Sequence, residues 1–223
     1  MRGDHFTSAG TWLWTSICSF TKYFLGIRVD VRNERVCNEF VDSVINKIKN
    51  NHIPIFVTDG YLPYKDRIFK HYYHMTTPVK ERRRGRPRVS KKIPKEGLLY
   101  GQVIKNRNGK KLENVEYRSV FGNVPKCILN TSSVERSNGT LRTFLAFLAR
   151  LTNRFSRSAE QMKAKIDLFR TYYNYCLPHG SLSERFAGRT VKVTPAMSIE
   201  AAERPMSMRE ILDFPHRKIS ICK

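Results

Sequence analysis

The chain has 223 residues, 40% of them hydrophobic and 11% aromatic, so a real core can form in one large domain or one domain with an appendage. Its 41 Lys and Arg against 19 Asp and Glu leave a net charge of +22, which opposes compaction by self-repulsion and favours a polyanionic partner, nucleic acid first and an anionic membrane surface second. Cys18, Cys37, Cys127, Cys176 and Cys222 are odd in number, scattered and without CxxC spacing, which argues against a disulfide framework or zinc site and fits a reducing cytosol.

In chain order, "TWLWTSIC" (11–18) and "KYFLGIRV" (22–29) are aromatic and β-branched runs separated by "SFT", the pattern of a strand pair. Lys22, the many hydroxyls and the lack of a small-residue cleavage site argue against a signal peptide or membrane span there. Val36, Phe40, Val44, Ile45 and Ile48 predict an amphipathic helix over 33–51. "HIPIFVTDG" (52–60) predicts a short strand that stops at Asp59, and Pro63 can open the next helix, 64–74. The Pro- and Arg-rich run "PVKERRRGRPRVSKKIPK" (78–95) has no apolar period and reads as a loop or arm. Segments 97–105 and 111–122 flank Asn108-Gly109, a tight-turn pair that predicts a β-hairpin. Helices are expected from Ser133 to Arg154, over 159–176 before Pro178, and over roughly 205–213.

Within the helix that begins near Ser133, Glu135 stands alone among Arg136, Arg142, Arg150 and Arg154. At 100° per residue, Leu141, Phe144, Leu145, Leu148, Leu151 and Phe155 form an apolar stripe, three arginines form a row, and Glu135 heads a strip with Asn138, Gly139 and Arg142. An acid near a helix N-terminus is also explained by the helix dipole. Asp59 ends an apolar strand, a position that commonly lines α/β sites, although Asp-Gly is also a common turn. Asp4, just before the strand pair, is the third acid.

"TDGYLPY", "SSVERSNGTLR" and "YYNYCLPHGSL", in that order, resemble the catalytic signatures of insertion-sequence DDE transposases, most closely the first-numbered family. The similarity runs from about residue 4 to 200 and includes the segment between the second and third acids. It implies an α/β fold: a ribonuclease-H-like mixed sheet flanked by helices, with a basic arm and an inserted hairpin. The corresponding organisation is a first catalytic part (1–77), the basic loop (78–96), the hairpin (97–125), helices carrying the third acid (126–182) and a C-terminal tail (183–223).

The resemblance implies that Asp59 is the second acid and Glu135 the third. Asp4 matches the first, although the family often has an acid pair where this chain has Asp4-His5; Asp30 is the next candidate. The three would hold two Mg2+, or Mn2+, ions about 4 Å apart for in-line phosphoryl transfer on DNA. Arg136, Asn138, Arg142, Arg150 and Arg154 would contact DNA or brace Glu135. Arg82, Arg83, Arg84, Arg86 and Arg88 would contact it from the arm, where Arg84-Gly85-Arg86-Pro87 has the form of an AT-hook core, or of a generic basic loop. His179 is expected to be structural or near DNA.

The implied partners are double-stranded DNA, as element ends and target, and further copies of the chain; no membrane is involved, and the location is cytoplasmic, with the nucleoid. Such proteins carry an N-terminal end-reading region, and only three residues precede Asp4, so the chain is expected to be N-terminally truncated. A non-catalytic DNA-binding remnant or inhibitor, and a plain nuclease on the same fold, stay open as other functions.

Overall fold

The computed structural model describes residues 2–6, 11–48, 52–76, 89–109, 111–149, 158–186 and 189–213. They form a mixed α/β protein with several small sheets, divided into two units: 1–16 with 28–139, and 17–27 with 140–223.

In the first unit, β1 (Arg2–Phe6) pairs antiparallel with β2 (Thr11–Ile17), which sets Asp4 opposite Leu13 and His5 opposite Trp12. β3 (Phe24–Val31), whose last residues belong to this unit, neighbours β2. The expected pair of strands is therefore present, with a third beside it. Asn33 then caps α1 (Glu34–Ile45), its side chain accepting the Val36 N–H. The buried residues Val36, Cys37, Phe40, Val41 and Val44 form the expected stripe. The helix stops at Ile45, short of residue 51, because residues 46–48 turn.

β4 spans only Phe56–Thr58, since Pro54 has no N–H to give a ladder. Pro63 opens α2 (Pro63–His71). That helix was expected to reach residue 74, but Tyr73–Met75 form β5, antiparallel with β6 (Lys92–Pro94). The end of the supposed basic loop is therefore strand. Thr76 N–H donates to the Lys91 carbonyl at 2.8 Å, and Lys91 N–H to the Thr76 hydroxyl at 2.9 Å. β7 (Tyr100–Asn108) runs parallel to β4 and antiparallel to β8 (Lys111–Phe121). This is the expected hairpin, with Gly109 at φ 57°, a conformation suited to glycine.

Among the described residues of this unit, core packing is seen in two places. Buried Trp14 meets Phe40, Tyr61 and Tyr64 at ring-centroid distances of 6.1, 5.9 and 6.1 Å, joining β2 to α1 and α2. Val103, Val124 and Leu129 form the other, against Val57 and Val115. Each fully buried aliphatic side chain contributes about 1.5–3 kcal/mol. Asp42 of α1 binds Arg67 and His71 of α2, fixing that helix pair.

The helix bearing Glu135, α3, spans Ser132–Phe144, not Ser133 to Arg154. Leu145 leaves helical geometry at φ −111° and ψ 92°, and a single tighter turn, Ala146–Leu148, follows. In the second unit, Ser158 caps α4 (Ala159–Tyr175). Buried Asn174 clamps Phe24, accepting its N–H at 2.9 Å and donating to its carbonyl at 3.2 Å. β9 (Glu184–Phe186) and β10 (Arg189–Val191) pair, and a Ser207–Glu210 capping box opens α5 (Met208–Leu212) near the expected tail helix. Cys18, Cys37, Cys127 and Cys176 are free thiols. Among the described residues no helix is long and apolar enough to cross a membrane.

Candidate active site

The end of β4 is held by its side chains. Thr58 stands opposite Gln102 in the parallel register, and its hydroxyl lies 2.8 Å from the Tyr100 hydroxyl, which also accepts from Gln102 Nε2 at 2.8 Å. Asp59 follows immediately. Its Oδ1 accepts the Tyr61 N–H at 3.1 Å, an Asx turn that fixes the carboxylate at the strand end. A Cβ placed on Gly60 would lie 3.1 Å from Ile104 Cγ1, so the chain leaving β4 runs against that residue of β7.

Glu135 reaches the same part of β7 from the other side of its sequence. Buried Leu129 anchors the approach, the Asn130 side chain accepts the Ser132 N–H at 2.7 Å, and α3 begins. Thr131 Oγ1 donates to Glu135 Oε1 at 2.9 Å, and Lys105 Nζ pairs with the same oxygen. Gly60 thus meets Ile104, while Glu135 binds Lys105, whose side chain leaves the opposite face of β7. Asp59 follows the end of β4, and Glu135 is tied to β7, its parallel neighbour.

A third link reaches the Asp4 strand. The Arg32 guanidinium carbon lies 4.1 Å from the Trp12 ring centroid and 4.5 Å from that of Tyr61. Trp12 is opposite His5, next to Asp4 in the register, and Tyr61 is two residues past Asp59. The start of β2 and the exit from β4 therefore share one cation.

Three weakly acidic groups near Asp59 stay protonated. Burial pushes the Tyr64 phenol well up, and the Asp59 charge pushes it the same way. Burial first, and Asp59 second, raise the Cys37 thiol to about 12; burial lifts the Tyr100 phenol to about 12. None of these three adds a negative charge beside Asp59 at neutral pH.

Among the described residues no group of three or more His, Cys, Asp and Glu side chains is arranged to hold a metal, and the Asp4 side chain lies outside them. The donor chemistry of the two described acids nevertheless fits a hard cation. Both are carboxylates, and both are held by positive or N–H and O–H partners of the kind a cation's charge replaces.

The expected DNA contacts divide. Arg136 is exposed and Arg142 partly buried. Asn138 is 1% exposed and accepts a hydrogen bond from the buried Thr15 hydroxyl at 3.1 Å, so it ties α3 to β2 instead of reaching outward. Arg150, Arg154, Arg82, Arg83, Arg84, Arg86 and Arg88 lie outside the described residues. Asp30 is held by Arg28 at 2.6 Å. His179 accepts from the Ser181 N–H at 3.3 Å in a local turn. Sequence reasoning missed Lys105, Thr131 and Arg32. The signal for Lys105 was its parity with buried Val103 on one strand.

No family model matches the chain, and no curated protein or solved structure does.

Proposed function

We propose that the chain is the catalytic domain of a DNA transposase with a ribonuclease-H-like fold, cleaving and joining DNA strands with Mg2+ or Mn2+. The observation that carries this reading is that an Asx turn holds Asp59 at the end of β4, where a site is expected, while Glu135 is paired with Lys105 of β7, the strand parallel to β4. The net charge of +22 supports a DNA partner, and the sequence signatures support the reaction class.

Asp59 and Glu135 would hold the metal ions, with Asp4 completing the set. When bound, the ions supply activation of the attacking oxygen and charge neutralisation on the leaving one. The Tyr61 N–H orients the Asp59 carboxylate and the Thr131 hydroxyl orients that of Glu135. Lys105 balances the Glu135 charge through their ion pair. Element ends and target DNA, a homo-oligomer on that DNA and a nucleoid location belong to the same proposal.

The test is incubation with element-end DNA and Mg2+. Wild type should cleave and join; Glu135→Gln and Asp59→Asn should do neither, yet bind DNA as well as wild type or slightly better. Cleavage without joining would make the chain a nuclease. Binding with no chemistry in any form would make it a non-catalytic DNA-binding protein.

A further inference from the structure

We propose that Arg32, laid over Trp12 and Tyr61, is a preset clamp for a backbone phosphate of nucleic acid at the edge of the acid site. Arg28 binds Asp30 and Glu39, Arg35 approaches Glu39, and Arg67 binds Asp42. Each of these cations of the first unit is answered by a carboxylate. Arg32 is exposed, and among the described residues no carboxylate lies within ion-pair distance of it. Its partners are two aromatic rings, 4.1 and 4.5 Å from the guanidinium carbon.

Ring faces hold an arginine by attraction of the cation to the quadrupole, and they compete poorly for its N–H donors. The side chain therefore gives up little rotamer freedom on binding, while its fork remains available for two oxygens in a plane. A phosphodiester offers that geometry and the charge that a chain of +22 attracts. The position is specific. Tyr61 donates its N–H to the Asp59 carboxylate, so a phosphate on Arg32 would sit near that acid rather than on a remote face. The choice of nucleic acid as ligand rests on the DNA reading of this site; the preset cation does not.

The test is anisotropy of a short labelled duplex against the full chain at several NaCl concentrations, without divalent metal. Arg32→Gln should weaken binding about tenfold at low salt and lower the salt slope by about one ion. Arg35→Gln removes the same charge from a side chain that is 81% exposed and carboxylate-paired, and should change binding far less. Arg32→Lys should lose most of the affinity despite keeping its charge, because it loses the fork and the stacking. Melting curves check that all three variants fold. Equal losses in Arg32→Gln and Arg35→Gln, or full affinity in Arg32→Lys, would overturn the clamp. An acidic peptide bound as tightly as the duplex, and lost equally in Arg32→Gln, would overturn the assignment to nucleic acid. Since binding is the readout, a wild type that binds through Arg32 but neither cleaves nor joins leaves the clamp standing and removes the transposase reading.

Discussion

Replacing Gly101 by alanine tests how β7 supports the approach to Glu135. A Cβ at Gly101 would lie 2.1 Å from Leu129 Cδ2, where ordinary contact begins at 3.4 Å, and 3.3 Å from the Arg118 carbonyl oxygen. Leu129 would have to give by 1.3 Å (3.4 − 2.1), and it is only 4% exposed, packed with Val103 and Val124. Overpacking of this kind costs about 1–3 kcal/mol. Leu129→Ala alone leaves a cavity and costs about 2–5 kcal/mol. In the double variant the new methyl occupies part of that cavity, so the combined loss should fall short of the sum by at least about 1 kcal/mol. Urea unfolding of the four proteins, read by Trp fluorescence, gives the cycle. Additivity within about 0.5 kcal/mol would mean that Gly101 and Leu129 do not touch, and the described packing beneath α3 would be wrong.

Asn138→Ala should destabilise the first unit by about 1–3 kcal/mol in a thermal or urea melt, because it strips the buried Thr15 hydroxyl of its acceptor; Thr15→Val in the same chain should recover part of the loss. A drop in DNA affinity at unchanged stability would instead restore Asn138 as a DNA contact. The Arg67 guanidinium, with His71 behind it, holds the Asp42 carboxyl below its ordinary value of 3.8. A carboxyl depressed in the folded state adds stability that is complete above that value and is lost as pH falls toward the folded one, so Asp42→Asn should melt lower at neutral pH and lose less on acidification, as melting temperature against pH will show.

Local chemistry made much of this legible in sequence. Aromatic and β-branched runs marked β2 and β3, Pro63 marked the start of α2, and Asn108-Gly109 marked the β7–β8 turn. The failures share a cause in long-range contact. The apolar period through Leu145 and Leu148 continues past the break at Leu145, since both residues are apolar whether the backbone is helical or not. Tyr73–Met75 continue an aromatic run but pair with residues 17 to 21 positions later, which no local window contains. Asn138 shares a helical strip with Glu135, yet Thr15 supplies an acceptor's partner that makes burial affordable. Asp59 and Glu135 stood out as an acid at a strand end and an acid among arginines. Lys105 and Arg32 did not, because a cation's role depends on which ring or carboxylate the fold brings to it.

The β5–β6 pairing brings together stretches of chain on either side of the Arg-rich segment. Thr76 and Lys91 are joined by hydrogen bonds, so both ends of the intervening stretch are rooted at one place. With the Lys95 N–H donating to the Tyr72 carbonyl at 2.9 Å, these bonds fasten the end of α2 to the approach to β7, so a change to one of those two segments is felt by the other.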